Sequence, residues 1–128
     1  MRPSVAIAAR PLSVTPCVSV IVPLYNKAAY IKACLDSLCA QTFAHMRIIV
    51  VDDGSTDGSA EIVLNYSSYD KRVFLVRQRR AGVSAARNHG LYLALASKSE
   101  FIGFVDADDY VSPHMYAELV RQLQAFPS

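Results

Sequence analysis

The stretch Phe101-Ile102-Gly103-Phe104-Val105-Asp106-Ala107-Asp108 decides how this chain folds. It opens on an apolar run without alternation, the pattern of a strand buried on both faces. Two carboxylates directly past its end are costly to hold together unless a cation joins them. A hard divalent ion typically takes one or two carboxylates and fills its other positions with water and phosphate oxygens. The pair therefore points to a phosphate-bearing substrate; the plainer reading is a solvated acidic turn.

Working outward, three more apolar runs precede this one: Val18-Ser19-Val20-Ile21-Val22, stopped by Pro23, then Ile48-Ile49-Val50-Val51, then Val73-Phe74-Leu75-Val76. Between them the apolar period changes to that of amphipathic helices. The spacing predicts a helix over 27–41 with Ile31, Cys34, Leu35 and Leu38 on one face. A second is predicted over 58–66, burying Ile62, Val63 and Tyr66, with Ser55, Thr56 and Asp57 as candidate caps. A third is predicted over 83–97, with Val83, Ala86, Gly90, Leu93 and Ala94 sharing a face. Ser112 and Pro113 start a last helix, whose stripe is Tyr116, Leu119, Val120 and Leu123. The expected fold is α/β: four β–α units forming a mainly parallel sheet with helices on both faces. Right-handed crossovers put all the strand C-termini along one edge, where open sheets bind ligands.

The residues that follow each strand carry the polar chemistry. The first strand delivers Pro23-Leu24-Tyr25-Asn26, the second Asp52-Asp53-Gly54-Ser55, the third Arg77, Arg79 and Arg80, and the fourth Asp106, Asp108 and Asp109. Scattered surface charge would not segregate in this way. Residues 52–57 read either as a tight turn with a helix cap or as a carboxylate acceptor for a ligand's N–H or hydroxyl groups. Arg87, near the start of the third helix, can fork onto a diphosphate or onto the cleft acids; Arg77 and Arg79 read as solvated. Tyr25 either stacks on a base or packs against the sheet. His45, His89 and His114 make no metal-ligand spacing with an acid and read as structural or exposed.

The remaining composition is ordinary. A chain of 128 residues, 52% apolar and 19% charged, is long enough for one domain with a real core. A net charge of +2 implies no strong attraction to nucleic acid or membrane. Cys17, Cys34 and Cys39 are odd in number and lack metal spacing, so they read as buried free thiols in a reducing compartment. Residues 1–16, rich in proline and without acids, read as a disordered extension before a domain over 17–128. No apolar run is long enough to span a bilayer.

Taken in order, residues 18–26, 38–43, 51–57, 82–90 and 104–109 resemble the family 2 glycosyltransferases, which have the A-type (GT-A, Rossmann-like) fold. The resemblance runs from Cys17 to about Leu123. It implies that Pro23, Tyr25 and Asn26 line a nucleotide pocket and that Asp53 hydrogen-bonds the base. Arg87 would organise the pocket beside the diphosphate, Asp106 would contact ribose or sugar, and Asp108 would hold Mg²⁺ or Mn²⁺. The implied donor is a nucleotide-diphosphate sugar, a UDP-sugar foremost, transferred with inversion to a glycan, lipid or other acceptor. The implied place of work is the cytoplasm, or the membrane surface as a peripheral protein. In this family the base and the acceptor-binding strands normally lie further on, so the chain reads as the donor-binding part, truncated at its C-terminus. No residue is assigned as catalytic base, and little transfer is expected from these residues alone. Exposed apolar surface is expected where a further part would pack, offering a face for self-association or for a partner.

Three rival readings share the cleft or the architecture. A non-catalytic nucleotide-sugar-binding module would use the same residues. A phospho-receiver domain also places acids at strand ends, but needs an isolated aspartate where Arg77 stands. Sugar nucleotidyltransferases open with a glycine-rich phosphate loop, which Pro23-Leu24-Tyr25-Asn26 is not.

Overall fold

The computed structural model describes residues 7–8 and 17–125. The elements run β1 (Ile7–Ala8), β2 (Val18–Leu24), α1 (Ile31–Cys39), β3 (Met46–Asp52), α2 (Ser59–Ser67), β4 (Val73–Arg77), α3 (Val83–Ala96), β5 (Phe101–Phe104) and α4 (Met115–Gln124). The sheet has the order β1-β5-β2-β3-β4. β2, β3, β4 and β5 are parallel, and β1 joins the edge of β5 antiparallel, with Ile7 opposite Ile102. This is the expected α/β architecture with one addition. Ile7–Ala8 fall within the segment expected to be disordered, yet they form a strand, because the outer edge of β5 offers unpaired backbone groups. The other residues of that segment lie outside the described ones.

Side chains of β2 alternate between the two faces of the sheet. Val18, Val20, Val22 and Leu24 pack with Ile31, Leu35 and Leu38 of α1, Val63 and Tyr66 of α2, and Tyr116 and Val120 of α4. Ile21 points the other way and packs with Ile49, Val51, Ile102 and with Ala86 and Ala94 of α3. Pro23 does not stop the strand, as the sequence suggested. It pairs with Val51 on the β3 side, while the β5 pairing ends at Ile21 opposite Phe104. Its missing N–H therefore faces a flank that has no ladder.

The β4-to-β5 connection has to pass over β3 and β2, and this sets α3 across the middle of the sheet. The small residues Ala86, Gly90 and Ala94 face the strands, all of them buried. Val83, expected on that face, is instead 51% exposed, because the helix has only begun there and its first turn overhangs the sheet edge. A Cβ on Gly90 would press into Ile21 Cγ2 well inside contact distance and lie 3.2 Å from Cγ1. Ile21 is fully buried and has nowhere to go. Gly90→Ala is therefore expected to destabilise the fold by about 1–3 kcal/mol despite alanine's better helix propensity. Urea unfolding measures this; an unchanged or raised midpoint would show that α3 can lift off the sheet at no cost.

Helix ends are the weakest expectations. α1 starts four residues later than predicted, at Ile31, because residues 28–30 form a turn closed by Tyr30 and Ile31 N–H groups on the Lys27 carbonyl. α4 begins at Met115, after a turn in which Met115 N–H donates to the Ser112 carbonyl. In α2, Val63 and Tyr66 are buried as expected, whereas Ile62 is half-buried.

Candidate functional site

The strand order defines where a ligand can sit. α1 leaves β2 on one face of the sheet and α3 reaches β5 on the other. The crevice between β2 and β5 is therefore the switch point of the sheet. The loop after β2 has the Asp53 loop on one side and the Asp106 loop on the other. A cleft of about 430 Å³ opens there, lined among others by Pro23, Tyr25, Lys27, Asp53, Arg80, Arg87, Asp106 and Asp108. Its size suits a small-molecule ligand.

Residues 52–57 divide the two jobs foreseen for them. Asp52 makes the turn, accepting from Ser55 N–H at 3.3 Å. The N-cap of α2 is Gly58, not one of the expected Ser55, Thr56 or Asp57; Asp57 instead folds over the helix start, accepting from Ser59 N–H at 3.0 Å, and its other oxygen accepts from Ala28 N–H at 3.0 Å. Asp53 lies on the cleft side and is 1% exposed. Its Oδ1 accepts from Gln78 Nε2 at 2.9 Å and Ala81 N–H at 2.8 Å, and its Oδ2 from Gly82 N–H at 2.9 Å and Arg80 at 2.5 Å. Burial works to raise the Asp53 pKa, but the donors from Gln78, Ala81, Gly82 and Arg80 outweigh it and hold the carboxyl below its ordinary value. Gly54, at φ +84°, allows this closeness: a Cβ there would lie 3.2 Å from Arg80 N.

Asp53 reaches the cleft, as expected, but as a carboxylate whose acceptor sites are already taken. A carboxylate offers about four lone-pair sites, and residues 78–82 fill them all. Gln78 is held in turn by His89, whose Nδ1 lies 2.9 Å from Gln78 Oε1. Since the Gln78 amide donates to Asp53, its oxygen must accept, and His89 carries its proton on Nδ1. His89 thus supports the loop, in keeping with its structural reading.

Asn26 also departs from expectation. It adopts φ +49°, a conformation that asparagine tolerates better than most residues. Its Oδ1 accepts from Thr56 N–H at 2.8 Å, and its own N–H donates to Ser55 Oγ at 2.9 Å. It clamps the β2 loop onto the neighbouring loop and does not line the cleft. Pro23 and Tyr25 do line it. Tyr25 is 38% exposed, with the Arg80 guanidinium 3.5 Å from its ring centroid.

On the β5 side, Arg87 reaches Asp106 at 3.2 Å and Lys27 reaches Asp108 at 3.7 Å. Oxygens of Asp106, Asp108 and Asp109 lie within 4.8 Å of one another. Hard, partly exposed oxygen donors with room for water and phosphate fit Mg²⁺ or Mn²⁺. The sequence had read Asp106 and Asp108 as a pair that a cation would join, with Asp108 the ligand implied by the resemblance; that Asp109 joins them emerges only from the turn geometry. Lys27 was missed as a cleft residue, and Arg80, though noted at the binding edge after the third strand, was given no role there.

Cys34 of α1 lies beneath this acidic loop, its Sγ 3.7 Å from the Asp106 carbonyl oxygen. Burial pushes its thiol up to about 12, and the charges of Asp109, Asp108 and Asp106 add to the shift. Cys17, Cys34 and Cys39 are all free, with Cys34 alone fully buried. The folded chain is expected to resist alkylation of Cys34 by iodoacetamide at pH 8, because the thiolate is the reactive form. Mass spectrometry of labelled peptides checks this; rapid labelling of Cys34 without denaturant would mean that the acidic loop opens readily.

Comparison with known proteins follows the same lines. The family described as Glycosyl transferase family 2 matches residues 19–128. This chain belongs to glycosyl transferase family 2. It is 43% identical over 109 residues to the uncharacterised glycosyltransferase EpsJ of Bacillus subtilis, covering 85% of this chain and 31% of that protein. Among solved structures, S. aureus TarS 1-349 in complex with UDP matches at TM-score 0.71 and 33% identity, over 84% of this chain and 32% of that one. The mannosyltransferase PcManGT from Pyrobaculum calidifontis, in complex with GDP-Man and Mn²⁺, matches at TM-score 0.62 and 29% identity, over 79% of this chain and 32% of that one. This family 2 chain spans about a third of the length of these relatives. Among its described residues, no helix is long and apolar enough to cross a membrane.

Proposed function

We propose that this glycosyltransferase chain binds the nucleotide-sugar donor, a UDP-sugar, together with Mg²⁺ or Mn²⁺, in a protein that transfers the sugar with inversion. One observation carries the reading: three carboxylates and Arg87 meet on one side of the β2 loop, and Tyr25 and Asp53 meet on the other. A molecule with a charged diphosphate at one end and a planar base at the other fits that division. UDP bound to TarS and Mn²⁺ bound to PcManGT support it.

Asp106, Asp108 and Asp109 would hold the divalent ion, which when bound supplies charge neutralisation to a leaving diphosphate. Arg87 orients Asp106 and stands ready to pair with a phosphate oxygen. Lys27 gives Asp108 a counter-charge from the opposite wall. Tyr25 offers a stacking face. Acceptor deprotonation by a carboxylate base belongs to the whole protein's reaction; the acids described in the cleft are engaged on the donor side. The free thiols support a reducing compartment such as the cytoplasm as the place of work.

Isothermal titration of the chain with UDP tests this reading. UDP is expected to bind with Mg²⁺ or Mn²⁺ present and to lose most of its affinity in chelator. Equal affinity in both conditions would remove the metal from the account, and tighter binding of GDP would reassign the base.

A further inference from the structure

Arg80 occupies two positions at once. Its guanidinium lies 3.5 Å from the centroid of the Tyr25 ring, and its NH1 lies 2.5 Å from Asp53 Oδ2. These are the stacking face and the buried acceptor that a nucleobase would need. A guanidinium is planar, stacks on aromatic rings and carries N–H donors in its plane. It therefore presents the same two features as a base, a flat face and an N–H edge.

The other partners of Asp53 are fixed. Ala81 and Gly82 donate through the backbone, and Gln78 is braced by His89. Arg80 differs: its side chain is 53% exposed, while that of Asp53 is 2% exposed. A base N–H can reach a lone pair of Asp53 only by taking the place of one of these donors, and Arg80 is the one that can swing into solvent.

We propose that Arg80 is a built-in stand-in for the nucleobase, filling the Tyr25 face and the Asp53 lone pair until a nucleotide displaces it. The inference rests on the reading of the cleft as a nucleotide site. It explains how a buried carboxylate stays paired when no ligand is present. It also makes Arg80 a specificity-determining residue. A ligand repays the displacement only if it offers both a stacking face and an N–H donor, as a uracil imide does. Cytosine also has an N–H donor in its 4-amino group, but its ring nitrogen is an acceptor where uracil has the imide N–H and would face the Asp53 carboxylate, so it is expected to displace Arg80 poorly.

Titrations of UDP and CDP, with Mg²⁺ present, into the unaltered chain and its R80A and R80K variants test this. R80A is expected to bind UDP about three- to tenfold tighter, the range of an ion pair exposed on its arginine side plus a cation–π contact. R80K keeps the charge near Asp53 but cannot stack flat, and is expected to fall between the two. The preference for UDP over CDP should narrow in R80A. Thermal melts without ligand check that both variants remain folded. UDP binding weakened threefold or more in R80A would show that Arg80 grips the ligand and would overturn the stand-in; so would affinity within twofold of the unaltered chain. Failure of UDP to bind the unaltered chain and both variants, all of them folded, would instead bring down the nucleotide reading itself.

Discussion

Asp108→Ala is expected to abolish the metal-dependent part of UDP binding, a loss of about 100-fold or more, since even residues behind metal ligands contribute about 10–100-fold. Asp108 is the most exposed of the three clustered carboxylates, and its ion pair with Lys27 is long, at 3.7 Å. Exposed pairs of that kind contribute about 0–1 kcal/mol, so the unliganded melting temperature should hardly move. Titration with and without Mn²⁺, alongside a melt of the ligand-free variant, separates the two effects. A drop of many degrees with metal affinity preserved would make Asp108 a structural residue of the β5 turn.

Asp53→Asn should be the more damaging change to the fold. An amide in the Asp53 position keeps one acceptor oxygen and turns its NH₂ toward donors that the other oxygen now satisfies. Either Gln78 and Ala81 or Gly82 and Arg80 lose their partner. These hydrogen bonds are part-buried, so each bond lost costs nearer the low end of the about 1–3 kcal/mol of a buried unpaired group, and a total near 2–4 kcal/mol is expected. Chemical denaturation of the variant measures this. A loss under about 0.5 kcal/mol, the range of ordinary surface changes, would show that residues 78–82 do not depend on this carboxylate. The same contacts predict the pH response. The folded pKa of Asp53 is held below its ordinary value, so its contribution is complete above the unfolded value, near pH 4. It is lost as pH falls from there through the folded value. Asp36, Asp57 and Asp70, all lowered by hydrogen-bonding neighbours, act in the same direction and should steepen the acid limb.

Much of this was legible from residue patterns. Runs apolar on both faces marked the central strands, and the i, i+3, i+4 spacing of Ile31, Cys34, Leu35 and Leu38 gave the face of α1 correctly. The gathering of acids and arginines after strand ends located the cleft. What stayed hidden depended on tertiary pairing. Asn26 looked like a ligand contact, but a neighbouring loop fills its hydrogen bonds. Arg80 looked like one of several loop cations until Tyr25 and a buried Asp53 were brought against it. The strand at Ile7–Ala8 carries no periodic signal at two residues; only the open edge of β5 creates it. Glu100, which precedes β5 at the edge of the sheet opposite the cleft, is buried and accepts from Cys17 N–H at 2.8 Å, which ties the entry of β2 to that of β5.

The central claim is that the β2–β5 crevice takes a nucleoside diphosphate through a metal held by the acidic loop. Amide NMR of the isotope-labelled chain, with UDP and substoichiometric Mn²⁺ added together, tests it most directly. The paramagnetic ion is expected to broaden the amides of residues 106–109 first and then those of Lys27 and Arg87. UDP itself should shift Tyr25 and residues 78–82, while His45 and Glu100 at the opposite edge stay sharp. Broadening centred on any other surface, or an unperturbed acidic loop at saturating UDP, would contradict the account.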